Sequence, residues 1–193
     1  AIMPGEKGRY PEELETYRKT KTGMDIFLRP MRISDEHLLK DFIHYLSDRS
    51  LYLRFISKRQ DLPHDRLQEL VVIDYTQEMA IVAVVDDGQM GNEKFVGVGR
   101  YYIYPDRQSA EIAFAVRDDY QNRGIGQELL SYLTYLARRQ GLLGFTAEVL
   151  AGNDPMLHVF EKGGFEMQRR TIAGLVELKM MFKQEGAVRP QKP

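Results

Sequence analysis

The chain has 193 residues, net charge −1, 28% charged and 43% hydrophobic residues. These values suit one soluble domain with a sizeable core, and they argue against nucleic acid or anionic membrane as the main partner, since both demand a basic excess. Cysteine is absent, which excludes disulfides, thiolate metal sites and a cysteine acyl-enzyme.

Residues 1–23 are polar, with Pro4, Gly5, Gly8 and Pro11 among many charges. They lack an apolar run of signal-peptide length and read as a flexible N-terminal arm, with a short helix at Glu12–Tyr17. No stretch reaches the roughly 18 apolar residues of a membrane span, so a cytoplasmic protein is expected. Asp25–Pro30 reads as a strand closed by proline. Ser34 is placed to cap a helix from Asp35 to about Leu46, whose Leu38, Leu39, Phe42, Ile43 and Leu46 follow the i, i+3, i+4, i+7 rule. A second short helix is expected at Arg49–Phe55 and a third from Pro63 to near Val72. The basic residues Arg49, Arg54, Lys58 and Arg59 read as a solvated helix face, or as a contact for an acidic protein substrate or a cofactor's 3′-phosphate.

The period then changes. Met79–Val85 is continuously apolar, as in a strand buried on both faces. Asp86-Asp87-Gly88 turns the chain, and strands at Phe95–Tyr104 and Ala110–Val116 complete an antiparallel meander. A polar, glycine-bearing loop follows. Next come a helix from Gly126 to Gln140 with an inner stripe of Leu129, Leu130, Leu133, Leu136 and Ala137, a strand at Phe145–Leu150 and a helix at Pro155–Lys162 capped by Asn153 or Asp154. Gly163-Gly164 breaks that helix before two last strands, Phe165–Arg170 and Leu175–Phe182. The expected fold is α+β: a mixed, mostly antiparallel central sheet with helices on both faces, one domain over 24–183 and a C-terminal tail over 184–193.

The loop Gln121-Asn122-Arg123-Gly124-Ile125-Gly126 joins a strand to a helix. A helix start offers backbone N–H groups without intrahelical partners and the positive end of the dipole. Gly124 and Gly126 allow close approach to the backbone, and Arg123 adds charge. Together they make an anion site of the kind that holds phosphates. Neither Gly-Lys-Ser/Thr nor G-x-G-x-x-G is present, so nucleoside-triphosphate and dinucleotide loops are set aside.

Val-x-x-x-x-Gln-x-x-Gly-x-Gly at 116–126 resembles the acyl-CoA motif of the GNAT superfamily of N-acetyltransferases. Asn153, Met156, Phe160, Lys162, Gly164 and Phe165 are similar to the same family's Asn-x-x-Ala…Tyr-x-Lys-x-Gly-Phe signature. More narrowly, Ile26–Phe42, Ser50–Ser57, Ile73–Val84 and Ala110–Gly126 resemble the acetyltransferase modules of bacterial protein-lysine acetyltransferases, which are often fused to an acyl-CoA synthetase-like or a nucleotide-sensing domain. The resemblance implies acetyl-CoA as cosubstrate, in a V-shaped opening between the strands at 110–116 and 145–150. The pantetheine arm would meet backbone groups near Ile112, Phe114 and Val116. The pyrophosphate would sit on the amides from Asn122 through Arg123, Gly124, Ile125 and Gly126 to Gln127, with Asn153 and Phe160 on the far wall.

Only about one lysine amine in two thousand is uncharged at neutral pH, so transfer to an amine profits from a general base. Glu111 is the candidate, because it is the one carboxylate in the apolar strand Ala110–Val116, on one face with Ala113 and Ala115. In the related lysine acetyltransferases a glutamate there is thought to act through water. Glu148, Asp74 and Glu78 are rivals. The family tyrosine that protonates the leaving thiolate falls on Phe160, which has no acidic proton. The expected partners are acetyl-CoA and an acceptor amine, for instance a lysine of an acyl-CoA synthetase or another protein, with no nucleic acid and no membrane, in a monomer or homodimer. A small-amine acetyltransferase and a non-catalytic acyl-CoA-binding regulatory domain are the alternatives. His37, His44, His64 and His158 lack metal-ligand spacing, and His37 and His44, seven apart on one helix, read as surface residues; no metal is expected.

Overall fold

A computed structural model describes residues 9–46, 67–86, 88 and 91–184. Among these are eight strands: β1 (Thr16–Lys19), β2 (Asp25–Pro30), β3 (Glu78–Asp86), β4 (Glu93–Ile103), β5 (Ser109–Val116), β6 (Gly144–Leu150), β7 (Glu166–Ile172) and β8 (Leu175–Met181). The described helices are α1 (Glu36–His44), α2 (Leu67–Val71), α3 (Ile125–Arg139) and α4 (Asp154–Glu161). The strands form one sheet in the order β1-β2-β3-β4-β5-β6-β8-β7. Every pairing is antiparallel except β5 with β6, which is parallel. The α+β class and the mixed sheet agree with the sequence reading.

Side chains alternate across the pleat and so divide the core in two. On one face Ile81, Ala83, Tyr101, Ile112, Phe114, Phe145 and Val149 pack with Leu129, Leu133 and Leu136 of α3 and Leu157 and Phe160 of α4. On the other, Ala80, Val82, Val98 and Ala115 pack with Leu39 and Phe42 of α1 and Leu70 and Val71 of α2. Strand β3 feeds both cores, which is why Glu78–Val84 is buried throughout. Helix α3 sits close to β4 because Gly97 and Gly99 leave room. A Cβ at Gly99 would stand 2.6 Å from Leu133 Cδ1, and one at Gly97 2.8 Å from Leu129 Cδ1.

Three expectations are corrected. The segment taken as a flexible arm, residues 1–23, supplies a 3₁₀ turn at Glu12–Leu14 and strand β1, paired with β2 from Thr16↔Leu28 to Lys19↔Asp25. The helix expected over Glu12–Tyr17 is therefore one short turn followed by a strand. Leu14 is 4% exposed, and the Tyr132 hydroxyl donates to its carbonyl at 2.6 Å; local composition shows none of this. Ser34 does not cap α1 either, because it lies inside a 3₁₀ turn over Ile33–Asp35 that precedes the helix. Asp35 takes over that corner. It accepts two hydrogen bonds from the Arg29 guanidinium (2.7 and 2.8 Å) and one from the Arg32 N–H (2.7 Å). The expected helix at Arg49–Phe55, the Pro63 start and the basic residues Arg49, Arg54, Lys58 and Arg59 lie outside the described residues, while Leu67–Val71 realises the end of the third helix.

Candidate acyl-CoA site

The site begins where the parallel ladder stops. β5 and β6 pair at Ser109↔Gly144, Ala110↔Phe145 and Glu111↔Thr146 only. Beyond that point the strands part, and a cleft of about 600 Å³ opens between Ile112–Val116 on one wall and Glu148–Asn153 on the other. The direction of the β5 backbone groups follows from its hydrogen bonds. The Ser109 carbonyl accepts from Tyr104 N–H and the Arg117 N–H donates to the Val96 carbonyl, so odd-numbered groups face β4. The Gln108 carbonyl accepts from Leu143 N–H on the β6 side. Alternation then turns the backbone groups of Ile112, Phe114 and Val116 to this side of β5, and past the last pair, Glu111↔Thr146, β6 no longer pairs with them.

The loop after β5 completes the cleft. A 3₁₀ turn at Asp118–Tyr120 is held by Arg117, a buried guanidinium that donates twice to Asp119 (3.0 and 2.9 Å) and lies 3.7 Å from the Tyr45 ring centroid. Those bonds hold the Asp119 carboxyl below its ordinary pKa. Asn122 and Gly124 adopt left-handed backbone conformations (φ 63° and 88°), and Gly124 forms the N-cap of α3 without any side-chain cap. The amides of the first helical turn therefore have no capping side chain. A smaller opening of about 110 Å³ lies over them, lined among others by Gln121, Asn122, Gly124, Ile125, Gly126 and Gln127. It shares Phe114, Val116, Gln121, Asn153, Pro155 and Met156 with the main cleft, so the two are continuous. These residues fit an acyl-CoA: a slot edged by backbone groups, lined by uncharged side chains apart from Asp118 and Glu148, and leading to an anion-favouring helix start.

Other candidates fall as follows. Arg123 is not among the residues lining either opening; its guanidinium lies over the Tyr120 ring, 4.7 Å from the centroid. Asn153 lines both, yet its Oδ1 accepts from Met156 N–H at 3.3 Å and so caps α4. Phe160 is 2% exposed and tilts against Phe114 at 5.1 Å, forming the floor of the cleft. Among the described residues no tyrosine lines the main cleft.

Glu111 lines a different space. It faces a second opening of about 560 Å³, with Tyr104, Thr146, Glu148, Glu177 and Lys179. The Tyr104 and Thr146 hydroxyls share a hydrogen bond of 2.7 Å. Glu148 lines this opening and the main cleft alike, so the two spaces meet on β6 where the ladder ends. Of the rival bases, Glu78 is buried on β3; desolvation raises its pKa, opposed by the charge of Arg100. Asp74 is half-buried and engaged within its own turn, accepting from the N–H and hydroxyl of Thr76. Sequence reasoning missed Lys21. It lines the small opening, although it lies a hundred residues before the loop, and only the folded hairpin brings it there.

The fold and site have counterparts. A profile of the Acetyltransferase (GNAT) family matches residues 41–165. The chain is 32% identical over 148 residues to acetyltransferase PA5475 of Pseudomonas aeruginosa, covering 76% of this chain and 78% of that one. It is 33% identical over 151 residues to acetyltransferase Pat of Mycolicibacterium smegmatis, but spans 43% of that longer protein. The solved GNAT domain of S. lividans PAT superposes with a TM-score of 0.74 at 28% identity, covering 90% of this chain and all of that one. RimL, a ribosomal L7/L12 alpha-N-protein acetyltransferase solved with coenzyme A, shares the fold at TM-score 0.62 and 16% identity, over 80% of this chain and 92% of its own. With the family profile covering most of its length, this chain belongs to the GNAT family and is an N-acetyltransferase.

Proposed function

We propose that the chain moves an acetyl group from acetyl-CoA to a protein lysine by direct transfer in a ternary complex. The observation that carries this reading is the pair of openings meeting at the end of the β5–β6 ladder. The donor lies in the 600 Å³ cleft, and the amine enters through the 560 Å³ opening that Glu111 lines. The lysine assignment rests on the likeness of residues 26–42, 73–84 and 110–126 to bacterial protein-lysine acetyltransferases.

The residues divide the work. Backbone groups of Ile112, Phe114 and Val116 hold the pantetheine arm, and the first-turn amides of α3 hold the diphosphate. Glu111 accepts the ammonium proton through a water, leaving the neutral amine to attack the thioester carbonyl carbon. A β5 N–H facing the cleft steadies the carbonyl oxygen as it gains charge. The C–S bond then breaks, the nitrogen sheds its second proton on becoming an amide, and the departing thiolate takes that proton up; with a thiol pKa near 8.5 it needs no strong acid to leave, which suits a site whose tyrosine position is Phe160.

The test is an acceptor screen. Thiol release from acetyl-CoA is followed with lysine-bearing proteins, including an acyl-CoA synthetase, and with polyamines, amino acids and aminoglycosides. Turnover on protein lysine is the expected result. Turnover on small amines alone would replace the lysine assignment.

A further inference from the structure

The turn between β1 and β2 lies against the loop at the start of α3. The Thr22 hydroxyl donates to the Arg123 carbonyl at 3.0 Å. A Cβ placed on Gly124 would stand 3.0 Å from Lys21 Cγ and 3.3 Å from Lys21 N and Thr20 Cβ, so the hairpin occupies the room that the glycine leaves. The turn is itself well held. Thr20 N–H donates to the Met24 carbonyl at 2.8 Å and Gly23 N–H to the Thr20 carbonyl at 2.9 Å, while Thr20 and Thr22 share a hydroxyl hydrogen bond of 3.0 Å. Further along, Arg18 approaches Glu128 at 3.6 Å and lies 5.2 Å from the Tyr132 ring centroid. Lys21 thus stands on a braced hairpin, at the wall of the small opening over the α3 amides. Its neighbours Lys19 and Arg18 have carboxylates, Asp25 and Glu128; Lys21 has no ion pair among the described residues.

We propose that Lys21 supplies the cation that neutralises the donor's diphosphate, which makes the N-terminal hairpin part of the acyl-CoA site. This rests on reading the loop as the donor site. The backbone amides bring partial charges only, while Arg123 is stacked on Tyr120. A full charge beside the helix start adds a charge-assisted hydrogen bond to an oxygen the amides already orient. Gly124 serves the same arrangement, because its φ of 88° would strain a larger residue and a Cβ there would crowd Lys21 and Thr20 at 3.0–3.3 Å.

Binding to the full chain, measured by calorimetry with coenzyme A and with 3′-dephospho-coenzyme A, requires no acceptor. Lys21→Met is expected to weaken both ligands about tenfold, the scale of one hydrogen bond to a charged group. Lys21→Arg should keep most of the affinity, and the unliganded melting temperature should stay the same in both variants. Unchanged affinity in Lys21→Met would overturn the proposal. So would an equal loss in Lys21→Arg, since charge would then not be the cause. A loss seen with coenzyme A alone would move the contact to the 3′-phosphate and overturn the diphosphate assignment. Failure of the unsubstituted chain to bind coenzyme A would sink the donor reading itself, a separate result.

Discussion

Three carboxylates show how position decides chemistry. Glu111 and Glu148 line the opening through which the amine is proposed to enter, while Glu78 sits in the core on the same sheet face, opposite Tyr102. Glu111→Gln keeps the shape and removes the base. Its kcat should fall by about 10²–10⁴, with coenzyme A affinity unchanged by calorimetry; a normal rate would end the role assigned to Glu111. Glu78 carries a different prediction. Its folded pKa lies above the ordinary 4.5, mainly through desolvation and against the pull of Arg100. The folded state therefore binds the proton more tightly than the unfolded state. The resulting stability is fully present below the unfolded pKa and is lost as pH rises through the folded one. Glu78→Gln should flatten the fall in urea midpoint over the window that begins near pH 4.5 and extends upward. An identical pH profile in the variant would refute this.

At the scale of elements, the cleft is made by strand pairing. β6 is held along its whole length by β8, from Gly144↔Met181 to Leu150↔Leu175, but to β5 at three residues only. β6 thus stays with β8 and leaves β5, and the V opens between them. Gly144 stands at the closed end. A Cβ there would meet the Met180 carbonyl oxygen at 2.2 Å, a backbone clash that no rotamer relieves. Gly144→Ala should lower stability by about 1–3 kcal/mol, read as a reduced denaturant midpoint; an unchanged midpoint would show that β8 can shift. The strands and helices around this region were legible before the structure, because burial on both faces gives continuous apolar runs and burial on one gives periodic ones. The splay was not legible in the local pattern; only the family resemblance implied a V-shaped opening between 110–116 and 145–150. It depends on which strand lies beside β6, and β8 inserts between β6 and β7 from thirty residues away in sequence.

For the molecule as a whole, the hairpin at the N-terminus changes the boundary of the domain. Leu14 is buried against the α3 side of the core, and β1 covers the outer edge of β2. Leu14→Ala should cost about 2–3 kcal/mol, measured by thermal or urea unfolding. A flexible arm would tolerate the same change with no loss, so the two descriptions separate cleanly. The same hairpin carries Lys21 to the loop at α3, joining a stability element to the proposed donor site. Among the described residues no helix is long and apolar enough to cross a membrane.

The sequence by itself determined the types of the strands from β2 onward, the apolar stripe of α3 and the anion-favouring loop at Gln121–Gly126, because these follow from local periodicity and from glycine at a helix start. It also marked Glu111, since one carboxylate in an apolar strand stands out locally. The tertiary structure alone decided that Glu111 faces a second opening, that Glu148 joins the two spaces, and that Lys21 reaches the loop. Each of these depends on contacts between segments distant in the chain, and such contacts are fixed by packing rather than by any local pattern.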